Sequence, residues 1–180
     1  MKKTFLILAL VALTGSLFAQ KKTTTSATVT FDATTSLDNL PKAENKTAIA
    51  ALDTKTGAVQ FEVTVKNFAF ANPTIQGHFN GDKWMNSDVY PTFTFKGSIV
   101  NLSAVDFTKD GSYTANVEGV LTVKGKEQKV KAPSTIVVKA GAITATSDFS
   151  IKLADFEITG APIDAGKIAR EPKISVNATF

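Results

Sequence analysis

Apolar and polar residues alternate along most of this chain. Val59, Phe61, Val63 and Val65 alternate with Gln60, Glu62, Thr64 and Lys66, and a period of two sends successive side chains to opposite faces of an extended strand. The stretch therefore predicts a strand with one oily face. The same pattern recurs with Phe93, Phe95 and Ile99, with Tyr113 through Val123, and with Ile143, Ala145, Ser147, Phe149, Ile151 and Leu153. Ala27, Val29 and Phe31 near the start and Ile174, Val176, Ala178 and Phe180 at the end add two more, and less regular strands are expected over Thr47–Leu52 and Gln128–Val138. Eight strands result.

Between these segments stand Asp53 to Gly57, Lys109-Asp110-Gly111, Lys124-Gly125-Lys126 and Ala140-Gly141, residues that accept tight-turn geometry and so imply hairpins and antiparallel pairing. One excursion interrupts the pattern. From Asn72 to Tyr90, Pro73, Gly77, Gly81 and Asp82 break the alternation before Lys83-Trp84-Met85-Asn86, which predicts a long loop with a short helical turn. Eight two-faced strands can hide their oily faces by closing into a barrel, which also removes the exposed edges. The expected fold is all-β, an eight-stranded antiparallel barrel with one long excursion.

Alternation alone leaves open which face points inward. A water-facing barrel turns its oily face to the lumen, and an outer-membrane barrel turns it to lipid. The terminal Phe180 on an alternating strand is a feature that outer-membrane barrels share. Two observations favour the water-facing arrangement: a chain with one Trp and two Tyr is poorly supplied for aromatic girdles, and Lys66, Lys96, Lys124 and Lys152 fall on the polar faces, where water solvates them at no cost.

The N-terminus changes the working length. Lys2-Lys3, the apolar run Thr4 to Gly15, and Leu17-Phe18-Ala19 before Gln20 have the parts of a secretory signal peptide. The expectation is a leader over residues 1–19 and one barrel domain over residues 20–180, exported to the periplasm or secreted. Removing Lys2 and Lys3 lowers the formal net charge from +4 to +2. The basic residues are almost all lysines spread along the chain, with Arg170 the one arginine, so a nucleic-acid partner is not expected.

Composition narrows the chemistry. No cysteine and one histidine exclude a disulfide scaffold, a zinc ribbon and a thiol nucleophile, and they leave no multi-histidine metal cage. No nucleophile elbow or phosphate-binding glycine loop occurs. Asp155 and Glu157 are spaced to share a strand face but read most simply as solvated charges. The chain is therefore expected to be a binder without catalytic residues, resident metal or cofactor.

Three segments carry a family resemblance. His78-Phe79 followed by Trp84 through Phe95, with Tyr90-Pro91 opening a strand, resembles the stretch in YceI-family proteins where a His-Leu pair precedes an aromatic pair and a Tyr-Pro. Gly119-Val120-Leu121-Thr122-Val123-Lys124-Gly125 resembles that family's Gly-x-Leu-Thr hairpin. Asp148-Phe149-Ser150-Ile151-Lys152 with Asp155-Phe156 is similar to its penultimate strand and exit. The chain departs from the family pattern at Gln76-Gly77, Trp84-Met85 and Lys152, where relatives commonly place Arg-Asp, Phe-Phe and Arg. The resemblance implies a lipocalin-like barrel, periplasmic, whose lumen holds a polyisoprenoid or similar long-chain lipid as its apolar partner.

The residues expected to line that lumen are Phe61, Val63, Phe93, Phe95, Val117, Leu121, Phe149 and Ile151; the same face would serve equally as plain core. His78, Trp84, Met85 and Tyr90 are the candidates for a mouth or lid, with structural anchoring as the competing role. Lys124, Lys126, Lys129 and Lys131 form the densest basic stretch, suited to an anionic head group or membrane surface and equally to a solvated hairpin. The sequons at Asn45, Asn101 and Asn177 are short enough to arise by chance. Three functional readings follow: a lipid carrier, a ligandless envelope-stress or interaction protein on the same barrel, and a small outer-membrane barrel. A dimer is compatible with all of them.

Overall fold

The two-residue period is realised as a closed antiparallel wall. The computed structural model describes residues 20–180, so the expected leader over residues 1–19 lies outside the described residues. The strands are β1 (Lys21–Asp32), β2 (Lys42–Asp53), β3 (Ala58–Thr64), β4 (Ala69–Phe70), β5 (Thr92–Ile99), β6 (Gly111–Val123), β7 (Lys126–Lys139), β8 (Ala142–Ser150) and β9 (Lys173–Thr179). They hydrogen-bond in the order β1-β9-β8-β7-β6-β5-β3-β2, and β2 pairs with β1 again to close the ring. The two-residue β4 also pairs with β2, at Ala43 and Glu44. It resumes the line of β3 after a 3-10 turn at Val65–Asn67. The barrel is therefore eight-stranded, as the alternation implies.

Closure requires local irregularity in β2. Ala27 faces Ala48 but Val29 faces Asn45, so β2 carries an extra residue there, a bulge that bends the strand around the barrel. Asn45 is fully buried at this point. Its Nδ2 donates to the Thr64 carbonyl at 2.9 Å and its Oδ1 accepts from the Thr47 backbone N–H and hydroxyl, each at 2.9 Å. One side chain thus satisfies both the bulge and the place where β3 leaves the sheet. The sequon at Asn45 is accordingly inaccessible.

Two hairpins have the expected turns. Lys124 and Gly125, at φ 50° and 72°, and Ala140 and Gly141, at φ 50° and 82°, are consecutive left-handed pairs whose twist matches that of flanking strands. The β5–β6 connection is longer than the Lys109-Asp110-Gly111 turn suggested. It includes a 3-10 turn at Leu102–Ala104, and Asn101 pins it by donating to the Thr114 carbonyl and accepting from the Asn116 N–H. Two strands are also shorter than their alternation predicts. Val65 lies in the 3-10 turn after β3, and β8 stops at Ser150, leaving Ile151 extended and Leu153 in another 3-10 turn, Leu153–Phe156.

The excursion after β4 is a real helix, α1 (Pro73–Asn80). It lies within the Asn72–Tyr90 excursion and, at eight residues, is longer than the single turn expected there. Asn72 accepts from the Thr74 and Ile75 N–H groups, and Pro73 occupies the first turn, where its missing donor is harmless. A second short helix, α2 (Ala161–Asp164), lies in the connection from β8 to β9. Among the described residues no helix is long and apolar enough to cross a membrane.

Candidate functional site

Hydrophobic side chains gather at the two ends of the barrel. At the α1 end, Val65, Phe68, Phe70, Phe79, Met85, Leu153 and Phe156 belong to one buried cluster; at the other, Leu52, Ile99, Val105, Ile136, Val138 and Ile143 belong to a second. Phe61, Phe149 and Phe180 pack against both. Between the clusters lies an apolar cavity of about 160 Å³, the size of engineered apolar cavities (about 150 Å³) that take up benzene. Phe61, Phe93, Phe95 and Phe149 point inward yet are only partly buried, because the lumen beside them is not filled by side chains.

The wall of this cavity is almost entirely hydrocarbon. Its polar members are Thr94, Ser134, Thr146 and Ser147, and no charged residue lines it. The Ser134 hydroxyl donates to the Ala132 carbonyl and that of Ser147 to the Pro133 carbonyl, so both are already satisfied by the backbone. Charges stand outside: Glu62, Lys96, Glu118, Lys129 and Lys131 are all exposed on the opposite face. Apolar within and charged without is the reverse of an outer-membrane barrel. Phe180, whose terminal place suggested the membrane alternative, lines the cavity.

The structure places all eight expected lining residues, Phe61, Val63, Phe93, Phe95, Val117, Leu121, Phe149 and Ile151, on the cavity wall. The mouth residues divide. Met85 is buried and lines the cavity. Trp84 is half-buried and packs against the α1-end cluster without reaching the cavity. His78 is exposed on the solvent side of α1 and does not line the cavity. Tyr90 sits beside the β6–β7 hairpin, its ring within 3.2 Å of where a Cβ on Gly125 would stand.

Several wall residues were not foreseen. Phe79 is the main one, at the centre of an aromatic group with ring centroids 4.9 Å from Phe70, 5.8 Å from Phe68 and 6.1 Å from Phe31. It closes the α1 end. The Asn72-Pro73 helix start was the available signal, since a helix begun there puts Phe79 two turns on, opposite the exposed Thr74 and His78. Another feature is visible only in the register: Gly97 lies opposite Gly119 across β5 and β6, and a Cβ on either would fall 2.7 Å or 2.6 Å from Cζ of Phe95. The Phe95 ring thus lies across a bare patch of backbone.

Five connections meet at the α1 end, and ion pairs there are exposed: Lys42 with Asp32 at 3.1 Å, Lys66 with Asp88 at 2.6 Å and Lys126 with Glu157 at 2.8 Å. The hydrogen-bonded Glu157 carboxylate holds the Lys126 ammonium above its ordinary 10.5. Such pairs orient connections more than they stabilise the fold.

A family model described as YceI-like domain matches residues 11–180. The chain belongs to the YceI-like family. Solved structures with a similar fold include that of Burkholderia cenocepacia BcnA, 23% identical with a TM-score of 0.69, covering 86% of this chain and 96% of that one. A polyisoprenoid-binding domain from Saccharophagus degradans is 12% identical with a TM-score of 0.73, covering 89% and 97%. A Campylobacter jejuni YceI protein is 18% identical with a TM-score of 0.53, covering 79% and 83%. No curated protein matches the chain. At these identities the likeness to solved structures is one of fold, and the YceI-like barrel is common ground.

Proposed function

We propose that this YceI-like protein is an exported, water-soluble container that holds a polyisoprenoid or other long-chain lipid in its lumen and carries or sequesters it. One observation carries the reading: an unfilled lumen whose walls are almost entirely hydrocarbon, with the hydroxyls of Ser134 and Ser147 already bonded to backbone carbonyls. Such a space rewards an apolar chain and offers nothing to a sugar, nucleotide or metal. At about 0.8 kcal/mol per methylene removed from water, roughly ten buried methylenes supply about 8 kcal/mol before ordering costs are subtracted. The S. degradans domain described as polyisoprenoid-binding supports the isoprenoid class. The apolar leader-like segment, Thr4 to Gly15 after Lys2-Lys3, supports export to the periplasm. Leu37, Leu40 and Val89 are exposed on connections at the α1 end, and this is where transient contact with a membrane surface fits best. No step of this reading calls for catalysis.

Titration with the fluorescent long-chain probe cis-parinaric acid, followed by competition with geranylgeraniol, tests it. Saturable binding displaced by the prenol is expected, and Leu121→Trp, which puts an indole into the lumen, should weaken it about tenfold, or 1.4 kcal/mol. Absence of saturable binding by folded protein would leave the ligandless interaction protein as the better account.

A further inference from the structure

The barrel wall is not equally sealed all round. Of the fourteen residues of β7, only Ser134–Lys139 pair with β8, at Ser147–Ala142. Lys126–Pro133 pair with β6 alone, and Asp148–Ser150 of β8 pair with β9 alone. The two strands part where Pro133, which can donate no backbone hydrogen bond, is the first residue beyond the paired stretch. Ala132, Ser134, Ser147 and Phe149 on either side of the split line the cavity, so the cavity runs up to it. Three of these four are small side chains.

Backbone does not fill the split; side chains and the 3-10 turn Leu153–Phe156 do. That turn packs against β7. Gln128 Nε2 donates to the Asp155 carbonyl at 2.8 Å, and Lys126 Nζ meets Glu157 at 2.8 Å. Both contacts are exposed, and exposed contacts of this kind are weak. Glu157 itself has φ +57°, a left-handed conformation that costs a residue with a Cβ some stability. The basic stretch Lys126, Lys129 and Lys131 finds a place here, since lysines on an unpaired edge discourage it from pairing with another chain.

We propose that the β7–β8 split is the portal through which an apolar chain enters and leaves the lumen, and that Gln128, Lys126 and the 3-10 turn form its latch. The proposal rests on the lumen being a lipid site. Opening needs the two exposed side-chain contacts to break and the turn's buried Leu153 and Phe156 to shift, but no strand ladder to part, whereas entry through the β3–β5 or β6–β7 seam needs paired strands to separate.

Because the chain has no cysteine, a bridge can be placed at will. Gln128→Cys with Asp155→Cys, joined by a short bismaleimide, ties the latch shut. Gln60→Cys with Lys96→Cys, on facing positions of β3 and β5, does the same at a sealed seam. The readout is the rate at which excess geranylgeraniol displaces cis-parinaric acid from each protein before and after bridging. Bridging the latch should slow displacement at least about tenfold, as expected when a lid sets the release rate, and bridging the sealed seam should leave it unchanged. Equal rates before and after bridging the latch, with probe binding intact, overturn the portal alone, as does equal slowing at both seams. Failure of the unbridged proteins to bind the probe overturns the portal together with the lumen reading.

Discussion

Asn45 shows how much one buried polar group can organise. Leucine in its place takes the partner from the Thr64 carbonyl and the Thr47 N–H in a part-buried site, so Asn45→Leu should cost about 1–3 kcal/mol. Urea unfolding followed by circular dichroism measures it. Gly97 and Gly119 matter for the opposite reason, that nothing else fits. Gly119→Ala must displace the Phe95 ring or push the β5 backbone away, at about 1–3 kcal/mol. The carboxylates act more weakly. The Thr34 hydroxyl, then Lys42, hold Asp32 below its ordinary 3.8, and the Ser175 hydroxyl, then Lys173, do the same for Asp148. Folded values below the unfolded one mean that this stabilisation is complete above about pH 4 and is lost as pH falls through 3.8 toward the lowered values. Melting temperature should therefore be flat from neutrality to about pH 4 and decline below it, and Asp148→Asn should blunt that decline.

At the scale of elements, strands were legible because each has one face in water and one in the lumen, and that contrast writes a period of two into the sequence. The same rule overran at Val65 and Leu153, where apolar residues keep the alternation although the backbone has turned into 3-10 geometry; burial alone maintains the pattern there. The eight foreseen lining residues follow from strand phase. Phe79 escaped because α1 is too short to show a helical period, although its Asn72-Pro73 start is explicit. The parting of β7 from β8 left no periodic mark either, since both strands alternate through it and only Pro133 punctuates the sequence. Phe79→Ala tests the plug directly. Removing the ring at the centre of the α1-end aromatics should cost about 3–5 kcal/mol, while Thr74→Ala on the exposed side of α1 should change stability little; thermal denaturation of the two variants compares them.

For the whole molecule, eight strands close a wall, two hydrophobic clusters stop its ends, and an unfilled apolar space is left between them. A protein stabilised only for its own sake would fill that space, because interiors pack at crystal-like density and an empty volume forfeits contacts. The composition that first spoke only against catalysis, with one histidine and no cysteine, suits a container whose inner face must be inert. A chain occupying the lumen binds the folded state alone, so delipidated protein should melt at a lower temperature than protein carrying its ligand, by the mass-action rule. The central claim is tested most directly by native mass spectrometry of the protein purified without detergent from the envelope of its own cells, with organic extraction of the same sample. The account predicts a discrete mass above that of the polypeptide, recovered in the extract as a long-chain apolar lipid and reduced in occupancy in the Leu121→Trp variant. Protein that is lipid-free in every preparation and takes up no prenol when one is offered would contradict it.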